Sequence, residues 1–104
     1  MKKEIWLMTQ KSNVDGEIMF NVIPCATKEA AKAEMEKEIR TLITESYHYV
    51  GFSDKLDSIL EKTKNSFYIE DTFIDKTENS FYIEDTCDDY YEDIRIDKRE
   101  IVTI

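Results

Sequence analysis

Glycine and proline are almost missing from this chain of 104 residues, where Gly16, Gly51 and Pro24 are the only ones. A phosphate cradle needs a run of glycines, so none can be built, and neither GxGxxG, GxSxG, HExxH nor a P-loop occurs. Histidine is limited to His48, between Tyr47 and Tyr49 near the end of a candidate helix. Neither cysteine lies at a spacing that would pair it with that imidazole as a catalytic couple, and a cation at a helix C-terminus is the ordinary reading. Cys25 and Cys87 are 62 residues apart, with no CxxC or Cys/His spacing, which reads as two free thiols in a reducing compartment. The opening MKKEIWLM holds a four-residue apolar run, Ile5 to Met8, too short for a secretory core or a membrane span, so a cytoplasmic location without membrane is expected. Basic residues are scarce too: 14 Lys and Arg stand against 23 Asp and Glu. That sign excludes the basic stripe by which a protein binds nucleic acid directly. No catalytic residues, metal ligands or cofactor are expected.

What is present is acid, unevenly placed. Residues 1–50 hold seven Lys/Arg and eight Asp/Glu, whereas residues 51–104 hold seven and fifteen. Between positions 70 and 93 stand Glu70, Asp71, Asp75, Glu78, Glu84, Asp85, Asp88, Asp89, Glu92 and Asp93, with Lys76 as the one base, so this stretch carries the charge of the whole chain, −9. A one-sided field of this kind selects partners by charge. The run from Asp85 to Asp93 invites a calcium loop, but an EF-hand started at Asp85 would have Tyr90 in place of the glycine and Ile96 in place of the final glutamate. A solvated acidic turn is the better reading.

The length suits one domain, 1–104, and the apolar content suits a core rather than a disordered chain. Segments 4–9 and 17–25 are rich in β-branched and aromatic residues, and Ser12 to Gly16 between them supplies turn chemistry, so a β-hairpin is expected, ending at Pro24. Both faces of each strand are apolar, which places the hairpin centrally in its sheet. Thr27 is a candidate N-cap, with Glu29 in the first turn. From there Ala31, Met35, Ile39, Leu42, Ile43 and Tyr47 recur at steps of three and four, predicting an amphipathic helix of about 20 residues closed by Gly51 and laid across the sheet. A short second helix follows, capped by Ser53 or Asp54, with Leu56, Ile59 and Leu60 on one side.

Residues 62–72, KTKNSFYIEDT, recur at 76–86 as KTENSFYIEDT, with ten identities in eleven at a period of 14. We read this as a tandem duplication of one turn and one strand. An even period keeps both copies in one strand phase, so Phe67, Ile69, Phe81 and Ile83 share a face and the copies are expected to pair as an antiparallel hairpin. A last strand, Tyr90 to Ile96, turns Tyr90, Ile94 and Ile96 inward and Tyr91, Asp93 and Arg95 outward, and Asp97-Lys98-Arg99 reads as a turn or bulge. The fold class is thus α+β: an N-terminal hairpin, a long helix packed on an antiparallel sheet, a short second helix and an acidic C-terminal meander of three strands.

The meander's outward face supplies the candidate partner-binding residues: Tyr68, Glu70, Asp71, Tyr82, Glu84, Asp85, Asp88, Asp89, Tyr91, Glu92 and Asp93. Carboxylates at alternate strand positions repeat every 6.6–6.8 Å or so, a ladder that can stand in for a nucleic-acid backbone, and tyrosines add contact area at low entropic cost. In size, charge and patterning the chain is similar to the small acidic nucleic-acid-mimicking inhibitors carried by phages and mobile elements, including some anti-CRISPR proteins. That likeness implies a non-catalytic interaction module whose partner is a basic protein with a nucleic-acid-binding surface. The alternative is a structural or assembly protein that forms a homodimer through the hairpin of the two copies, its acid serving solubility.

Overall fold

The structure is a computed structural model that describes residues 2–45, 49, 54–61, 65–87 and 89–102. The chain runs β1 (Lys2–Val14), β2 (Glu17–Cys25), α1 (Lys28–Glu45), α2 (Leu56–Glu61), β3 (Asn65–Ile69), β4 (Thr72–Lys76), β5 (Ser80–Asp85) and β6 (Tyr90–Val102). The strands form one six-stranded antiparallel sheet in the order β2-β1-β6-β5-β4-β3. Together with the helices this makes the fold α+β.

Asp15-Gly16 joins β1 to β2 as a two-residue loop, with Val14 opposite Glu17 and positive φ at both loop residues, 54° and 86°. That is the backbone a tight hairpin with right-handed twist requires, and Gly16 adopts it without a Cβ penalty. The hairpin is not central, however. Strand β1 is central because β6 takes its second edge over thirteen paired positions, Lys2 opposite Val102 to Val14 opposite Tyr90, while β2 is left at the rim of the sheet. Pro24 falls inside β2, where an edge position tolerates its missing N–H.

Thr27 caps α1 as expected: its Oγ1 accepts the Ala30 N–H at 3.1 Å. Ala31, Met35, Ile39, Leu42 and Ile43 are the buried stripe, and α1 packs over β1, β2, β5 and β6. The inner sheet face meets it with Met8, Phe81, Ile83, Ile94 and Ile96, and Ile59 of α2, Ile74 and Tyr49 join the same core. Tyr47, Gly51 and Ser53 lie outside the described residues, as does His48. Cys25 and Cys87 are free thiols, buried and exposed respectively. No helix among the described residues is long and apolar enough to cross a membrane.

The acidic half departs from expectation in two ways. The repeated segments do not pair with each other. Thr72–Lys76 forms a strand of its own, so the C-terminal meander has four strands and β4 separates β3 from β5. What permits it is a two-residue turn at Glu70-Asp71, with Glu70 at φ 54°, which reverses the first segment two residues earlier than the second. Nor do Asp97, Lys98 and Arg99 turn or bulge: they continue β6, opposite Leu7, Trp6 and Ile5.

Candidate functional site

Strand alternation sorts the acidic half into an inner face under the helices, an open outer face and the turns. Tyr68, Tyr82, Glu84, Tyr91 and Asp93 have the outer phase, opposite in register to buried Phe81, Ile83 and Ile94. Glu70 and Asp71 form the β3–β4 turn, Asp89 belongs to the β5–β6 turn, and Asp85 ends β5 beside it. Asp88 lies outside the described residues.

Glu92 must be withdrawn from the binding set. It shares the phase of Tyr90, Ile94 and Ile96, points under α1 and is 4% exposed. Gln10 Nε2 donates to its Oε2 at 3.1 Å, and the Ser12 hydroxyl donates to the same oxygen. Burial pushes its carboxyl above the usual glutamate range, against the pull of those two hydrogen bonds.

The remaining carboxylates gather chiefly at one end of the sheet. The β1–β2, β3–β4 and β5–β6 turns all lie there, since Val14 is opposite Tyr90, Tyr90 opposite Asp85 and Asp85 opposite Thr72. Main-chain bonds tie them together: Asp15 N–H donates to Asp89 O, and Thr86 N–H donates to Asp71 O, both at 2.9 Å. Asn13 Nδ2 donates to Asp89 Oδ1 at 2.7 Å, and the Cys87 N–H donates to Asp85 Oδ1 at 3.0 Å. Asp15, Glu17, Glu70, Asp71, Asp85 and Asp89 thus share one end, and none of the described residues of these three turns is Lys or Arg. No three His, Cys, Asp or Glu side chains among the described residues are grouped so as to hold a metal ion.

The outer face is of mixed charge. Asp75, Glu84, Asp93 and Asp97 share it with Lys11, Arg95 and Arg99, and Arg95 donates through Nε and a second guanidinium nitrogen to the two oxygens of Asp93, at 3.1 and 3.2 Å. Its continuous feature is aromatic. Ring centroids step from Tyr68 to Phe73 at 5.1 Å, to Tyr82 at 6.2 Å and to Tyr91 at 5.9 Å. Lys11 Nζ then bridges Tyr91 and Phe20, 5.9 and 5.8 Å from their ring centroids. One side chain from every strand takes part. The Tyr82 hydroxyl donates to Glu84 Oε2 at 2.7 Å, and burial followed by that bond holds the phenol above its ordinary pKa.

Lys11, Phe20 and Phe73 are the members of this row that the acidic pattern does not single out. Two signals lead to them: the Asp-Gly loop sets Lys11 opposite Phe20, and Phe73 becomes outward once Thr72–Lys76 is read as a strand. No family model, curated protein or solved structure matches the chain.

Proposed function

We propose that the protein is a non-catalytic interaction module that binds a basic protein surface with the carboxylate end of its sheet and the adjoining part of the outer face. The observation that carries this reading is the convergence of three turns bearing Asp15, Glu70, Asp71 and Asp89, without a Lys or Arg between them, beside the row Tyr68, Phe73, Tyr82 and Tyr91. Uncompensated carboxylates steer a cationic partner towards that end, and the aromatic row supplies contact area once it arrives. A groove that binds nucleic acid fits this chemistry, because it offers closely spaced Arg and Lys to acidic groups. The inhibitor of a nucleic-acid-binding protein is therefore the form of the function we favour. The mimicry is confined to the turns, since Glu92 is buried and Asp93 is neutralised by Arg95.

Capture from lysate of the source cells tests it. A basic protein retained at about 50 mM salt should be released by about 500 mM, since screening shortens the Debye length several-fold over that range. It should be lost by a variant carrying Glu70→Lys, Asp71→Lys, Glu84→Lys and Asp89→Lys. It should be kept by one reversing Glu29, Glu36 and Glu45, which are exposed on α1. Equal retention by the first variant and the parent would remove the proposal.

A further inference from the structure

Strand β2 is an edge that carries almost none of the devices by which sheet proteins keep their edges apart. It is nine residues long and unbulged in its pairing with β1, and its one charged residue is Glu17. Ile18, Phe20 and Val22 stand on the outer face at 47%, 72% and 53% exposure. The two-residue loop closes on Val14 and Glu17, so the odd-numbered residues of β2 exchange main-chain bonds with β1. The N–H and C=O groups of Ile18, Phe20 and Val22 consequently point away from the sheet. Pro24 has the same outward phase and no N–H to offer.

We propose that this edge pairs with β2 of a second copy, antiparallel about a two-fold axis at Phe20. An isologous contact demands a self-complementary strip, and this register supplies one. Phe20 faces Phe20, and Ile18 faces Val22 on both sides of the axis. All three are hydrogen-bonded pairs because all three residues have outward backbone groups. Pro24 falls opposite Gly16, in the partner's turn, so the missing donor lies beyond the paired stretch. Glu17 falls opposite Ile23, so no carboxylate meets another. The antiparallel arrangement also sends the two carboxylate ends to opposite ends of the joined sheet, which keeps the largest like charges apart. The two aromatic rows then meet at Phe20 and become one. This dimer stands independently of the basic partner proposed above, whose surface is the turns and the row from Tyr68 to Tyr91 and leaves the β2 edge uncovered.

Light scattering and sedimentation on the full chain should find twice its 12.3 kDa mass at high concentration. Added salt should strengthen the dimer, because it screens repulsion between two copies of charge −9, whereas it weakens binding of a basic partner. Phe20→Lys or, independently, Val22→Lys should weaken dimerisation roughly 30-fold or more, with the circular dichroism spectrum unchanged, since both side chains are exposed.

The register is tested by disulfide trapping in a Cys25→Ala, Cys87→Ser background. Met19 and Asn21 face each other across the axis as a non-hydrogen-bonded pair, about 4.5 Å between Cα atoms, within disulfide reach. Met19 and its own copy are diagonal neighbours at about 7–8 Å, beyond it. A mixture of Met19→Cys and Asn21→Cys chains should therefore cross-link, and either alone should not. A parent that stays monomeric overturns the proposal, whatever other strand the edge accepts. A dimer indifferent to both lysine variants, or single cysteine variants that cross-link as readily as the mixture, overturns it equally.

Discussion

Glu92 is a carboxylate placed where an apolar side chain would be expected, between Tyr90 and Ile94 on the inner phase of β6. Two donors, from Gln10 and Ser12, converge on one of its oxygens, so the site is built for an acceptor, yet burial still disfavours the charged form. The sign of the pH dependence follows. With its folded pKa raised, Glu92 is neutral in both states well below the ordinary glutamate range. As pH climbs through that range the unfolded chain ionises first, and stability falls until the folded carboxyl has ionised too. Glu92→Gln keeps an acceptor for Gln10 and avoids the charge. It should raise the melting temperature at neutral pH, with the difference closing in acid. Glu92→Leu leaves the buried Gln10 amide and the half-buried Ser12 hydroxyl without their acceptor and should cost about 1–3 kcal/mol. Melting curves of the two variants from acid to neutral pH check both. The burial of Glu92 was readable from phase alone, because an inward Tyr90 and Ile94 leave the residue between them no other direction; the acid on either side obscured it.

Identical sequence does not give identical structure in the two Ser-Phe-Tyr-Ile-Glu-Asp segments. In the second, Glu84 and Asp85 extend β5 against Tyr91 and Tyr90; in the first, Glu70 and Asp71 turn the chain, Glu70 in the left-handed region at φ 54°. The left-handed conformation costs an ordinary L residue roughly 1–2 kcal/mol, and glycine escapes it. Glu70→Gly should be neutral or stabilising by up to about 1 kcal/mol, whereas Glu84→Gly, in a strand and holding the Tyr82 hydroxyl, should cost about 1 kcal/mol. Denaturant titration of the pair measures it, and equal effects would mean that the turn carries no strain. The same contrast explains why β4 is hard to read. A turn is legible when Asp-Gly announces it, as at Asp15-Gly16, and α1 is legible because its apolar stripe and Thr27 agree. Glu-Asp announces nothing, and what makes it a turn is the opportunity for Ile74 to reach the core.

For the molecule as a whole, β3 and β4 form the margin of the sheet, since α1 packs on β1, β2, β5 and β6. Deleting residues 62–75 removes β3 and nearly all of β4, joins Glu61 to Lys76 and, being an even number, leaves every downstream side chain on its face. The remainder, β2-β1-β6-β5 under α1, should fold cooperatively at a lower melting temperature, because it loses Ile74 from the core and Phe67 and Ile69 from its border. It should also bind a basic partner more weakly, without Tyr68, Glu70 and Asp71. Circular dichroism reports the first outcome and the capture assay the second. A shortened chain that fails to fold would place β3 and β4 inside the cooperative core. The α+β class and the hairpin, helix and last strand were legible in periodicity and turn chemistry. The strand order was not, because a partner some ninety positions away leaves no local mark on β1.

That distance has a kinetic meaning. The two locally formed pieces, β1–β2 and β3–β4–β5, touch within the sheet only through β6, which pairs Met8 with Ile96 on one side and Ile94 with Phe81 on the other. A ribosome delivers β6 after everything it must join. Until then each piece holds an unpaired strand edge; β6 folds back on β5 through a short turn, whereas its pairing with β1 must first meet the ordering entropy of the longest loop in the chain. Closure of β6 on the waiting edge of β1 is therefore the step expected to limit the rate of folding. A second chain's β6 fits those edges equally well, so crowded synthesis favours exchange of that strand between neighbours.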